Sequence, residues 1–402
     1  MSSNFSHNEA IVLAPAWPSK TGGYGIALHA SLLLYLEHFS VVHFICISDR
    51  AFNAETWPAD RIKWTQIPII AKPKWLRFFI SLFGVLPAIT ARYALARQEV
   101  MHAVHCIFEK RIENPHIIIE DIPMACFLPD ISRDFPDVPI GIRSHNMTEK
   151  AFEGFCHVGS PFHRLAWRLE LPKIRHFEKS IFEIADSVWG ISKNDVDEYS
   201  NRFSCKLDGV LGVCLDGSHY QKVGPGKDKT VVHVGTADMR KGKGLEHFIR
   251  RVWPTVRSEV PGARLILAGR GTQQFTNTDL GVEGLGFVAD DRDVLGKGRI
   301  FVNPQQIGSG VQLKSIVAML AGKSLVSTSL GVEGVKGKRG EHFEVADSPE
   351  EMGRQIISLM RDFERASRIG RLGRDLAMKI YSTEWFLEES RPLLDSFVRK
   401  SQ

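Results

Sequence analysis

Short apolar runs that end near glycine, each followed by a stretch of helical spacing, recur along this chain and narrow the folds open to it more than any other feature. "AIVLAP" (Ala10 to Pro15) leads into the turn "KTGGYG", then Ile26 to Leu36 has helical spacing, and "SVVHFICIS" (Ser40 to Ser48) reads as the next strand. "HIIIED" (His116 to Asp121), "VPIGIRSHN" (Val138 to Asn146), a helical stretch from Phe162 to Ala185 with a kink expected at Pro172, and "SVWGIS" (Ser187 to Ser192) continue the pattern. After "KVGPGKDK" (Lys222 to Lys229), which has linker composition, the grammar restarts with "TVVHVGT" (Thr230 to Thr236). A helix follows with Leu245, Phe248, Ile249, Val252 and Trp253 at i, i+3, i+4, i+7 and i+8. "ARLILAGRG" (Ala263 to Gly271), "RIFVNP" (Arg299 to Pro304), "SLVSTS" (Ser324 to Ser329) and "HFEVAD" (His342 to Asp347) supply further strands. Such alternation implies parallel sheets covered on both faces, with ligands beyond the carboxyl ends of the strands.

A chain of 402 residues exceeds one ordinary core, so two domains with a cleft between them are expected. A formal charge of +5 is too small to argue for nucleic acid, and none is expected as a partner. The six cysteines are scattered without a C-x-x-C pair, which indicates neither zinc nor a disulfide framework and fits a reducing cytoplasm. No apolar run reaches a membrane span. From Arg61 to Gln98, however, seven basic residues (Arg61, Lys63, Lys72, Lys74, Arg77, Arg92, Arg97) surround an apolar run with no acid. That suits either a core helix with solvated ends or peripheral contact with an anionic membrane.

Three glycine-rich strand ends carry the chemistry: "GTADMRKGKG" (Gly235 to Gly244), "GRGT" (Gly269 to Thr272) and "IGSGVQLKSIVAML" (Ile307 to Leu320). Glycines let backbone approach a ligand, and a helix start offers unpaired N–H groups to an anion. Lys241 and Lys314 add point charges suited to a diphosphate. Gly22 and Gly23 form a similar turn after the first strand, where an acceptor or phosphate could approach closely.

The run from Val231 to Val335 resembles the nucleotide-sugar domain of the family 4 glycosyltransferases, and "APAWPSKTGGYG" and "IGIRSHNMTEKAFEG" resemble their amino-terminal signatures. The resemblance implies an α/β GT-B fold, two Rossmann-like domains facing across a cleft. Residues 1–205 would bind the acceptor, residues 206–382 the nucleoside-diphosphate sugar, and a helix over about 383–402 would pack back on the first domain. It further implies a retaining, hexosyltransferase-type enzyme in cell-surface polysaccharide or glycolipid synthesis. Its partners would be a nucleoside-diphosphate sugar and a saccharide or lipid-linked acceptor, and it would use no cofactor. A cytoplasmic place, peripheral at the inner face of the membrane, goes with that reading.

Carried over residue by residue, the donor side comprises Gly235, Lys241, Gly269, Arg270, Gly308, Ser309, Gly310 and Lys314. The family's diphosphate-binding arginine is replaced by Thr236, and its two glutamates, with seven residues between them, by Ser309 and Val317. The second glutamate usually holds the ribose hydroxyls; Glu333 in "LGVEGV" is the candidate substitute. His145, beside Asn146, matches the histidine that faces the donor sugar, with a hydrogen bond to the sugar and stabilisation of developing charge as its expected catalytic role. No metal is expected: in "DVD", Asp195 reads as the acid of a capping box with Ser192. Loss of the glutamate and the arginine keeps a second possibility open, a catalytically silent relative acting as a partner or scaffold.

Overall fold

The computed structural model describes residues 7–20, 23–52, 54, 57–69, 84–157, 159–203, 205, 207–237 and 242–401. The chain divides into two compact units, Met1–Leu215 with Thr383–Gln402, and Asp216–Ser382.

The first unit holds β1 (Glu9–Ala14), β2 (Val41–Ile47), β3 (Ile62–Ile67), β4 (Pro115–Glu120), β5 (Ile140–Ser144), β6 (Ser187–Gly190) and β7 (Gly209–Val210). They pair in parallel in the order β3-β2-β1-β4-β5-β6-β7. Both faces are buried, which is why these strands read as continuous apolar runs rather than alternating ones. Ile11, Leu13, Ile45 and Ile117 enter one core, while Ala10, Val12, Phe44 and Ile118 enter the other. The helix Thr383–Val398 closes the second core with Phe386, Leu394 and Phe397. A Cβ on Gly141 would lie 2.5 Å from the Trp189 ring, so glycine there makes room for Trp189 to meet Phe397 edge-on at 5.2 Å.

The second unit holds β8 (Lys227–Val234), β9 (Arg264–Ala268), β10 (Val282–Gly286), β11 (Gly298–Asn303), β12 (Ser324–Ser327) and β13 (Glu344–Val345), in the order β10-β9-β8-β11-β12-β13. The helix Gly242–Arg251 buries Leu245, Phe248 and Ile249, as its spacing predicts. Gly224 and Pro225, inside the stretch of linker composition, are held in this unit by Lys323, whose Nζ donates to their carbonyls at 2.6 and 3.3 Å. In both sheets the order reverses beside the first strand, between β1 and β4 and between β8 and β11. Ligands of such sheets bind at that reversal, beyond the carboxyl ends.

The basic stretch from Arg61 onward begins as a sheet strand. β3 pairs along β2, and Arg61 closes the end of the helix Gly23–His38 by donating to the carbonyls of Leu36, Phe39 and Ser40. Arg97 pairs with Asp130 at 3.2 Å. Lys72, Lys74 and Arg77 lie outside the described residues. Pro172 sits within an unbroken helix, Pro161–Ile184. Among the described residues, no helix is long and apolar enough to cross a membrane.

Candidate functional site

In the second unit, backbone forms the strand-end cluster. Gly269 has φ 128°, and a Cβ on it would stand 2.1 Å from the Gly235 carbonyl oxygen, so only glycine lets the ends of β8 and β9 close up. Arg270, exposed, accepts from the Ala237 N–H at 2.8 Å through its carbonyl and holds its guanidinium 5.7 Å above the Phe287 ring. Gly308 (φ 143°) and Gly310 (φ 78°) flank Ser309 in the left-handed region and turn the chain into the helix Leu313–Leu320. That helix has no acid in its first turn and no side-chain cap, yet it carries Lys314 there. A helix start offers unpaired N–H groups and the positive end of the macrodipole, the setting in which anions are bound.

Other residues converge on the same point. The Lys314 Cδ is 3.8 Å from where a Gly235 Cβ would be, and the His233 Nε2 is 2.9 Å from it. His233 donates from Nδ1 to the Val302 carbonyl at 2.8 Å. Burial first, then the Lys314 charge, pushes its pKa down to about 3, so the ring is neutral and Nε2 is an acceptor. The Glu333 carbonyl accepts from the Gln312 N–H at 3.2 Å, which pins Glu333 to the start of the helix. Val317, in the middle of the same helix, is buried. Lys241 lies outside the described residues.

In the first unit the cluster is made of side chains. Gly23 opens the helix Gly23–His38 beside β1; Gly22 lies outside the described residues. Buried His145, just past β5, donates from Nε2 to Glu120 Oε2 at 2.5 Å. Glu120 is fully buried and also accepts from Tyr35 at 2.6 Å and from Arg143 at 3.4 Å. Burial works against its charge, but Arg143 and then His145 outweigh it and hold the carboxyl at about 2. An ionised carboxylate only accepts, so Nε2 of His145 carries a proton and the ring is held in one orientation. Arg143, itself fully buried, spends its other donors on the carbonyls of Ala27, Leu211 and Gly212 and on Ser31.

Asp121 completes this cluster. Its backbone takes φ 81°, a conformation that costs a non-glycine residue on the order of 1–3 kcal/mol and marks a constrained position. One carboxylate oxygen accepts from the His145 N–H at 3.3 Å and the other from the Tyr24 hydroxyl. Tyr24 stacks on the His145 ring at 5.0 Å. The Asn146 carbonyl accepts from Ser144 at 3.0 Å and from Tyr199 at 3.3 Å, which fixes the loop after His145.

Sequence reasoning passed over Glu120, Asp121, Tyr24 and Arg143. The signal was present in two acids ending an apolar run and an arginine inside "IGIRSHN", since buried charges in strands must find partners. Ser192 caps the helix Lys193–Phe203, its hydroxyl accepting from the Asp195 N–H at 3.2 Å and donating to the Asp195 carboxylate at 2.5 Å.

These features define a protein with two doubly wound sheets, one with a glycine-rich strand end beside a helix start that carries a lysine and the other with a buried histidine–carboxylate cluster. Residues 228–362 match the family model "Glycosyl transferases group 1", and the chain carries a domain of that family on a GT-B fold. The structure of Anabaena HepE in complex with UDP is similar, with TM-score 0.63 and 15% identity over 96% of this chain and 100% of that one. TarM matches with TM-score 0.70 and 12% identity over 98% and 100%. Sucrose-phosphate synthase from Thermosynechococcus elongatus matches with TM-score 0.70 and 16% identity over 97% and 99%. An uncharacterized 44.6 kDa protein in the cps region of Klebsiella pneumoniae is 25% identical over 248 residues, 57% of this chain and 61% of that protein.

Proposed function

We propose that this protein is a glycosyltransferase that moves a sugar, with retention, from a nucleoside-diphosphate sugar to a saccharide or lipid-linked acceptor in polysaccharide or glycolipid synthesis. The observation that carries the reading is the uncapped, acid-free helix start with Lys314 beside Gly235 and Gly269 at the reversal of the second sheet. HepE, which shares the fold, has been crystallised with UDP and with UDP-glucose, and the Klebsiella relative comes from a cps region. In this reading Lys314 and Lys241 hold the diphosphate, Glu333 replaces the lost ribose contact, and His145 serves the transferred sugar. Glu120 holds a proton on Nε2 of His145, so Nδ1 accepts from a sugar hydroxyl while the negative charge of the Glu120–His145 pair counters positive charge developing at the anomeric carbon. The first unit takes the acceptor.

A second reading has a specific observation behind it. Buried Val317 cannot hydrogen-bond a ribose and Thr236 cannot clamp a phosphate, which fits a silent partner of an active enzyme.

Thermal stabilisation by a panel of nucleoside diphosphates and nucleotide sugars separates the two. A true ligand at about 100 times its Kd contributes about 2.7 kcal/mol, a shift of several degrees. His145→Ala should keep that shift and lose transfer about 100-fold or more. Stabilisation by no nucleotide at millimolar concentration would decide for the silent partner.

A further inference from the structure

Glu120 and Asp121 hold His145 itself, but the chain on either side of it is held by two other residues. Tyr199, fully buried on the helix Lys193–Phe203, meets the Ser144 hydroxyl at 3.1 Å and the Asn146 carbonyl at 3.3 Å, on the two residues that flank His145. Glu178, fully buried on the helix Pro161–Ile184, accepts from the Thr148 N–H at 3.2 Å through Oε1. That N–H opens the helix Thr148–Phe155, whose N-cap, Met147, supplies no side-chain bond. A donor left over at a helix start is thus satisfied by a carboxyl from another helix. Tyr199 joins the two holds, since its hydroxyl also lies 3.4 Å from Glu178 Oε1. Phe182, on the same helix as Glu178, packs edge-on against the Tyr199 ring at 5.1 Å and braces it.

A carboxyl in such a place is costly to keep. Its second oxygen, Oε2, is buried with no hydrogen-bond partner among the described residues, in a recess that Pro87, Ile89, Thr90, Ile122 and Pro123 line without a charge. The titratable groups around it are Tyr199, Cys205 and Glu149, the last paired with Arg175 and Arg202. Burial outweighs the bonds from Thr148 and Tyr199 and raises the Glu178 carboxyl to about 8, so at neutral pH it is the uncharged acid. Packing alone would be served by an apolar side chain. What Glu178 and Tyr199 add is a fixed geometry for the backbone from Ser144 to Thr148, with His145 inside it.

We propose that Tyr199 and Glu178 are positioning residues for His145, fixing where its ring stands through their bonds to Ser144, Asn146 and Thr148. The inference rests on the reading in which His145 serves the transferred sugar. A reacting group misplaced by about 1 Å can lose about 100-fold in rate. Holding both chain neighbours of His145 therefore acts on the rate of transfer, while the diphosphate site in the other unit is built from different residues and is left as it is.

Two measurements test it, and the first needs no transfer. In the full chain labelled with nitrogen-15 histidine, the His145 Nε2–H resonance is identified by its absence from His145→Ala. Tyr199→Phe removes only a hydroxyl and should shift or broaden that resonance in a chain that still melts cooperatively; an unmoved resonance overturns the proposal. In transfer assays with a nucleotide sugar that stabilises the native chain, Tyr199→Phe should lower kcat about tenfold with the donor KM within about twofold. Glu178→Gln keeps an acceptor for the Thr148 N–H and should stay within about threefold of the native kcat, whereas Glu178→Ala should lose about tenfold or more. A raised donor KM with unchanged kcat in Tyr199→Phe, or Glu178→Gln as impaired as Glu178→Ala, overturns the proposal as well. Absence of transfer by the native chain would count against the transfer reading alone, and the resonance would still decide whether Tyr199 sets the place of His145.

Discussion

In the first unit the strand-end cluster consists of side chains locked into one another: Tyr24, Tyr35, Glu120, Asp121, Arg143 and His145, most of them buried. In the second unit it consists of backbone, Gly235, Gly269, Gly308 and Gly310, with the half-buried Lys314 added at a helix start. The difference couples the two clusters differently to stability. Buried charges are part of the fold's own electrostatics, so none can be removed without leaving another uncompensated. A strand end built of backbone tolerates exchange of the side chains around it, Thr236 and Val317 among them, without the helix start being lost.

The largest expected effect follows from this contrast. Arg143→Met leaves the Glu120 carboxylate buried without its cation and strips three carbonyls of a donor, which should destabilise the first unit by about 3–5 kcal/mol. Hydrogen exchange resolved by segment should show the loss in the first unit alone. Lys314→Ala should leave stability within about 0.5 kcal/mol of wild type. Its loss should appear in nucleoside-diphosphate affinity instead, by calorimetry, as about 1.5–3 kcal/mol for a charged hydrogen bond. Comparable destabilisation by both substitutions would break the distinction.

A smaller effect sharpens it, because the units should respond to pH in opposite directions. Burial raises the Glu178 pKa from 4.5 to about 8, despite the hydrogen bonds from Thr148 and Tyr199. The folded first unit therefore keeps a proton that the unfolded chain releases, and its stability falls as pH rises between 4.5 and 8. Burial and Lys314 lower the His233 pKa from 6.5 to about 3, so the unfolded chain takes up a proton that the folded second unit refuses. Its stability falls as pH drops from 6.5 toward 3. Each slope is at most about 1.4 kcal/mol per pH unit. Segment-resolved exchange, corrected for intrinsic rates, should show the two slopes diverging, with Glu178→Gln flattening one and His233→Gln the other. Parallel slopes would contradict the assignment.

The same contrast explains what was legible in the sequence. Glycine, lysine and helix start lie within a few residues of one another in "IGSGVQLK", so local spacing exposes the second cluster. The first is assembled from segments far apart: Tyr24 and Asp121 are separated by 97 positions, Glu120 and His145 by 25. His145 emerged from a resemblance, while its partners required the strand order. The parallel sheets were readable because both-face burial writes itself as apolar runs, but β7 is two residues long and β10 is interrupted by glycines. β3 was hidden under a count of cations, although "IKWT" at its start alternates apolar and polar residues and Lys63 marks it as an edge strand.

The smallest effect concerns Val317, whose burial makes it the sharpest probe of how far the second cluster depends on side chains. If Glu333, tied to Gln312 at the helix start, holds the ribose, then Val317 only fills space. Val317→Ala should then change nucleotide affinity by less than about threefold, under about 0.7 kcal/mol. Val317→Glu should bring no gain either, because a carboxylate placed there would lose hydration without a partner. Glu333→Gln should cost more than either. The opposite pattern, about tenfold tighter binding in Val317→Glu and none lost in Glu333→Gln, would mean that the ribose slot persists and only its anchor is gone. In that event the second cluster depends on a side chain as the first does, and the native chain would bind donors weakly because of one residue rather than a rearranged site.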